Sequence, residues 1–314
     1  SVSRSMSGTG CRLASVRHIR PTCLSQKPMP PDPDTEVFQA QRSRLLRLAY
    51  RMLGSHHDAE DVVQEAWLRW QRSDQAAVQE PAAWLTRIVS RLCLDQMKSA
   101  RARRETYPGT WLPEPLIEPE DDALRPDNLT LTLMLALERL SPLERAAFLL
   151  HDVFGQSMEE VATTIDRSPA ATRQLASRAR AHVQIDRPRY DMSRDAAEAL
   201  TRAFFDACKS GDAAALGAML AEGATFHADG GGKVTSYPNV IAGVENLIRL
   251  FQGWSRKFGD RMEMVEPVMI DGLPGFVSRI DGHPQTTALQ IEAGRITAVY
   301  ITRNPDKLDG VITH

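Results

Sequence analysis

Three sets of side chains in this 314-residue chain have types and spacings suited to binding another protein or a polyanion. Winding Asp58–Arg72 as a helix puts Ala59, Val62, Val63, Ala66, Trp67 and Trp70 on one apolar face. Asp61, Gln64, Glu65 and Leu68 then fall on the opposite face. A leucine among acidic and polar groups suits docking on a basic partner helix, because opposite charges steer the approach and an apolar centre anchors it. The second set is Arg87, Arg91, Lys98 and Arg101, which lie within about 80° of one another at 100° per residue. Trp84 sits at the edge of that stripe, Asp95 is nearby, and Arg103-Arg104 follow. Basic side chains neutralise phosphates, a tryptophan can stack on an unpaired base, and a carboxylate can accept from an exocyclic amine. The ordinary alternatives are core packing for Trp84 and an arginine partner for Asp95. The third set is Arg173, Gln174, Ser177, Arg178 and Arg180, on or beside the outer face of a helix opened by Ser168-Pro169. Arginine pairs with guanine and glutamine with adenine in the DNA major groove. Which arginine reads a base and which holds a phosphate stays open.

Other motifs carry weaker chemistry. Trp111-Leu112-Pro-Glu-Pro-Leu116 places a tryptophan and two leucines in an acidic, proline-rich stretch, so it should dock rather than float. Asp229-Gly230-Gly231-Gly232-Lys233 lacks the spacing and the Lys-Ser/Thr ending of a phosphate loop. Its glycines allow a tight turn or a close backbone approach. Asn304-Pro305-Asp306-Lys307-Leu308 follows the last strand and could clasp a neighbouring domain. His227, Asp229 and Asp281 could supply an acid/base pair, but a satisfied core histidine is the commoner finding, and no catalytic residue, cofactor or metal is expected.

The elements that position these groups fall into blocks. Residues 1–35, rich in Ser, Pro and Arg, are expected to be disordered, with Met29 as an alternative start. Residues 36–105 and 129–187 read as two helical blocks, separated by a proline-rich linker at 106–128. The second block has two short helices broken at Asp166-Arg167, a helix-turn-helix pattern. Residues 188–314 read as an α+β domain, with helices early and strands near 224–228, 262–270, 275–280, 286–292 and 295–303. The front block carries 12 basic and 9 acidic residues, whereas the linker carries 1 and 6, so an anionic partner is expected for one part of the chain only. The longest uncharged stretch, Val234 to Val244, is 11 residues, too short for a membrane span. Four cysteines without a CxxC pair and the absence of a leading apolar run argue against a disulfide framework, structural zinc or a secretory signal, and fit the cytoplasm.

Ala49-Tyr-Arg-Met-Leu-Gly54 and Asp58-Ala-Glu-Asp-Val-Val-Gln-Glu65, then Trp84 to Arg104 and Ser141-Pro-Leu-Glu-Arg145, resemble sigma-70 family factors of the extracytoplasmic-function type. With the Trp111–Leu116, Asp229–Lys233 and Asn304–Leu308 motifs behind them, the chain resembles the subgroup with a fused C-terminal SnoaL-like domain, the SigJ-type factors. The resemblance covers about residues 36–308. It implies a multidomain protein with sigma region 2, a helix-turn-helix region 4 and a nuclear transport factor 2-like α+β domain. It implies that Asp61, Gln64, Glu65 and Leu68 dock on the β′ clamp helices of core RNA polymerase, whose β subunit is a further partner. The Trp84–Arg101 set would read the −10 promoter element and the Arg173–Arg180 set the −35 element. The three extra motifs would mediate interdomain control within the chain, and the SnoaL-like domain could take an unidentified small ligand. The alternative is a helix-turn-helix regulator fused to a SnoaL-like cyclase or isomerase. A second expectation places the acidic linker near the basic stripe, where it would block weak DNA binding.

Overall fold

The structure is a computed structural model that describes residues 33–105, 107–117, 130–183, 193–309 and 311. The segment before residue 33, the acidic residues 118–127, and the side chains of Arg101, Arg103 and Arg104 lie outside the described residues.

Three helices make the front block: α1 (Pro33–Leu53), α2 (His56–Arg72) and α3 (Pro81–Glu105). The first begins inside the stretch assigned to disorder, so residues 33–35 are helical rather than disordered. Gly54, at φ +72°, turns the chain, and Ser55 caps α2 by accepting from the Asp58 amide at 3.1 Å. The apolar face read from the sequence is the buried one: Ala59, Val62, Val63, Ala66 and Trp70.

The second block contains α4 (Leu131–Leu137), α5 (Pro142–Phe148), a π turn at Leu149–Val153, α6 (Met158–Ile165) and α7 (Pro169–His182). Capping boxes at Ser141/Glu144 and Ser157/Glu160 start α5 and α6. Asp166 at φ 55° ends α6, and Ser168 with Pro169 starts α7, as the helix-turn-helix pattern requires. The two blocks do not stand apart. Leu45, Met52, Leu85 and Val89 belong to one continuous core with Leu137, Phe148, Leu149, Val161 and Leu175.

The C-terminal domain has α8 (Arg194–Ser210), α9 (Ala213–Met219), β1 (Leu220–Asp229), β2 (Ile241–Ala242) and α10 (Val244–Phe258). These are followed by β3 (Met262–Ile270), β4 (Leu273–Ile280), β5 (His283–Glu292) and β6 (Arg295–Thr302). The sheet runs β2-β1-β6-β5-β4-β3, with β1 parallel to β6 and all other pairs antiparallel. One face packs Phe226, Phe276, Leu289 and Val299 against Phe204, Leu247, Phe251 and Trp254 of α8 and α10. The opposite face, with Leu273, Ala288, Ala298 and Tyr300, is covered by Leu112 of the linker and Leu131 of α4. Leu308 and Val311 extend that cover over Val277. No helix among the described residues is long and apolar enough to cross a membrane.

Candidate nucleic-acid interface and linker clamp

On α2, Asp61, Gln64 and Leu68 are exposed and Glu65 is half-buried. Asp61 lies 3.8 Å from His57, and Glu65 accepts from Arg69 at 2.8 Å. Leu68 is one of few large apolar side chains left in solvent, at 36% exposure. The four residues form one open ridge of acid and leucine.

The α3 stripe is divided. Lys98 and Asp95 are exposed and pair with each other at 2.8 Å. Trp84 packs its ring 5.5 Å from Trp70, which favours the core alternative over a stacking platform. Arg91 points into the second block, where Nε donates to the Thr164 carbonyl and an Nη to the Thr163 carbonyl, both at 3.2 Å. Arg87 has a buried Nε without a hydrogen-bond partner, and its charge reaches Glu160 of α6. The neighbour that Arg87 and Arg91 meet is therefore α6, with Arg91 still exposed. The described part of the linker lies elsewhere.

On α7, Arg173, Gln174, Ser177, Arg178 and Arg180 are all exposed, while Thr172, Leu175, Ala176 and Ala179 are buried. Arg173 pairs with Glu159 at 3.0 Å, Arg178 with Glu144 at 2.9 Å and Arg180 with Asp152 at 2.8 Å. Burial works against ionising Glu144, yet the Ser141 hydroxyl and amide and the Arg178 guanidinium hold its carboxyl below the usual range. The arginine side of each pair is exposed, and such partly exposed pairs orient the guanidiniums at little energetic gain.

The linker motif enters a buried polar site at the end of β1. Asp229, fully buried, accepts from the Tyr107 hydroxyl at 2.6 Å, the Leu112 amide at 2.9 Å and the Gly231 amide at 3.0 Å. Lys307 bonds the same carboxylate at 2.7 Å and donates to the Leu112 carbonyl. Its ammonium also sits 4.3 Å from the Trp111 ring centroid and 4.9 Å from that of Tyr107. Asn304 donates to the Tyr107 hydroxyl at 2.9 Å. Burial, with the Asp229 carboxylate beside it, pushes the Tyr107 phenol well up, so it stays a donor. The glycines matter here because backbone and linker approach too closely for side chains. A Cβ on Gly231, at φ +62°, would collide with the Asn304 amide, and one on Gly232 with Pro108. Lys233 and Asp306 close the outside at 2.7 Å, while Pro305 opens the short turn that carries Asp306 and Lys307.

The far end of the motif reaches the front block. Glu114 accepts from the Ser55 hydroxyl at 2.9 Å and from the His56 amide, at the start of α2, and its own amide donates to the Gly54 carbonyl at 3.0 Å. Tyr50 donates to the Glu114 carbonyl at 2.8 Å and to Asp271 at 3.0 Å. Asp271 also accepts from the Leu116 amide at 3.1 Å. One linker thus joins the front block to the sheet.

The sequence reading singled out Trp111, Leu112 and Leu116 but missed Tyr107, Glu114, Tyr50 and Asp271, all of which act through the same segment. Asp271-Gly272 reads as an ordinary turn, and nothing in its local pattern marks it as a partner of residue 50. The three residues of the acid/base set have separate partners: Asp229 is occupied by the linker, Asp281 pairs with Arg261 at 2.7 Å, and His227 stacks on Tyr300 at 5.0 Å. Burial lowers the His227 pKa and keeps the ring neutral.

Comparison with known proteins identifies the regions that carry these residues. The family profile Sigma-70 region 2 matches residues 37–103, and Sigma-70, region 4 matches residues 130–183. The chain is 37% identical over 298 residues to the ECF RNA polymerase sigma factor SigJ of Mycobacterium tuberculosis, covering 88% of this chain and 94% of that protein. It is 33% identical over 286 residues to the probable ECF RNA polymerase sigma factor SigI of the same species, covering 88% and 96%. The crystal structure of M. tuberculosis SigJ superposes with a TM-score of 0.71 at 34% identity, over 88% of this chain and 98% of that one. Both sigma regions and the C-terminal sheet domain fall within one continuous match, and the chain belongs to the extracytoplasmic-function RNA polymerase sigma factors of SigJ type, which initiate transcription.

Proposed function

We propose that this sigma factor is controlled in cis by its C-terminal domain, which acts through its hold on the linker. The α2 ridge of Asp61, Gln64, Glu65 and Leu68 docks on the β′ clamp helices of core polymerase. The α3 stripe meets the −10 element, and the α7 arginines with Gln174 and Ser177 meet the −35 element. The sheet domain works as a binding module without turnover, in the cytoplasm where polymerase acts.

The observation that carries this reading is the occupied Asp229 carboxylate: four donors from the linker, the glycine loop and Lys307 converge on it. A buried carboxylate so fully satisfied gives the linker one defined path over the sheet. The test is run-off transcription with core polymerase on a promoter that the intact chain uses. Removing residues 188–314, or only Asn304–Leu308, should raise transcript output from the same start point. Unchanged output from both deletions contradicts cis control. No specific transcript from any form contradicts the assignment of the binding faces.

A further inference from the structure

The five polar residues of α7 do not share one position around the helix. At 100° per residue, the exposed Ala170, Gln174, Ser177 and Ala181 fall within about 60° of one another. They lie opposite the buried Thr172, Leu175, Ala176 and Ala179. This central row is the most outward part of the helix, and Gln174 is its one long side chain. The arginines stand to either side of it: Arg173 and Arg180 about 70° to 90° one way, Arg178 about 70° the other.

The ion pairs follow the same division. Along one flank, Arg173 reaches Glu159 of α6 at 3.0 Å and Arg180 reaches Asp152 of the π turn at 2.8 Å. Along the other, Arg178 reaches Glu144 of α5 at 2.9 Å. Each guanidinium is drawn toward a carboxylate of its own domain rather than over the central row. Gln174 is exposed and has no side-chain partner among the described residues. A helix with its side chains is about 10–12 Å across, and the DNA major groove is about 12 Å wide. A helix lying in that groove turns its outward row to the base edges and its two flanks to the phosphate walls. The small Ala170 and Ser177, on either side of Gln174, let the backbone approach the groove floor.

Resting on the reading of region 4 above, we propose that Gln174 is the base-reading side chain of α7, and that Arg173, Arg178 and Arg180 hold phosphates on the two groove walls. Gln174 lies in the first half of α7, the part of a recognition helix that meets base edges. Its Nε2 donates to N7 of an adenine, and its Oε1 accepts from the N6 amine of the same base. One A·T pair of the −35 element is fixed in this way. The arginines give phosphate oxygens the charge-assisted bonds they now give carboxylates, which sets depth and register without choosing a base.

The experiment uses holoenzyme assembled from core polymerase and the full chain. The probe is a pool of double-stranded DNA randomised over the length of a promoter, and the retained molecules are sequenced. The parent chain should enrich an upstream element that contains an A·T pair. Gln174→Ala should reduce the preference at that one position from about tenfold to parity and leave the other positions as they were. Gln174→Arg should move the same position to G·C, a change that a merely structural role would not produce. Arg173→Ala, Arg178→Ala and Arg180→Ala should keep the selected sequence. Each should weaken binding of the selected duplex and of its single-base variants by one common factor, and make the salt dependence shallower by about one unit. Unchanged preferences in both Gln174 variants overturn Gln174 as the reader. Preference lost at one position in an arginine variant, with an unchanged salt slope, overturns the phosphate role of that arginine. A parent holoenzyme that enriches no upstream element strikes the region 4 reading instead.

Discussion

Two seams hold this molecule together, and they are built on opposite principles. At the seam between linker and sheet, Asp229 is 0% exposed and the Lys307 side chain 9%, and every polar atom of the pair faces a named donor or acceptor. At the seam between the helical blocks, a shared apolar core and a buried Arg145 that reaches the Met52 carbonyl are flanked by an exposed Arg91 on backbone carbonyls and by two arginines on one phenylalanine ring. A buried network tends to fail as a unit, because losing one member strands the others without water. Water or a phosphate can replace an exposed arginine–carbonyl bond at small cost. The first seam holds the linker through buried polar groups, whereas the second joins a shared apolar core to exposed arginine contacts that water can replace.

The largest break in this contrast should come from Asp229→Ala. It leaves the Lys307 ammonium, the Leu112 amide and the Tyr107 hydroxyl buried without their acceptor, a loss of about 3–5 kcal/mol. Thermal unfolding should show a lowered transition for the C-terminal domain, and Trp111 fluorescence should shift as the ring enters water. An unaltered melt with unaltered emission would mean that the network contributes nothing. Gly231→Ala comes next. The left-handed backbone conformation costs a side chain roughly 1–2 kcal/mol, and the added Cβ displaces Asn304. Chemical denaturation compared with the parent chain measures it.

Acid should sharpen the contrast more gently. His227 is held neutral by burial, so its folded pKa lies below the value near 6.5 of the unfolded chain. The unfolded state then binds the extra proton, and stability falls as pH drops below about 6.5, until the folded pKa is passed. Denaturation midpoints at successive pH values should show this slope, and His227→Gln should flatten it. A slope that persists in the variant assigns it to another group. The smallest effect belongs to Glu114→Gln, which removes a negative charge from the start of α2 and should cost about 0.3–1 kcal/mol. Amide exchange at His56 and His57 should quicken; unchanged rates would show that Glu114 is no cap.

Much of the local structure was legible in residue order because its causes are local. Ser141 and Ser168 start helices through their own hydroxyls, Pro81 and Pro169 sit in first turns, and alternating apolar residues give the strands. The outer face of α7 follows from helical period alone. The short strand β2, two residues directly before α10, was missed because so brief a run leaves no alternating pattern. The shared core of the two helical blocks was not legible, because the apolar faces of α3 and α5 carry no address for each other. Nor was the partner of Arg91, since a backbone carbonyl has no residue identity. Residues 229 and 307 were both marked for contact, yet their meeting depends on β1 lying parallel to β6, a long-range pairing outside any local pattern.

The central claim is that the C-terminal domain governs transcription through its grip on the linker. The most direct measurement is run-off transcription with core polymerase, comparing Gly231→Ala with Gly294→Ala. Both glycines have positive φ, at 62° and 74°, but a side chain at 231 meets Asn304 and one at 294 meets nothing within 4 Å. The account predicts that Gly231→Ala raises output about fivefold, the effect of roughly 1 kcal/mol on a two-state hold, while Gly294→Ala matches the parent. Equal output from the two variants would contradict it.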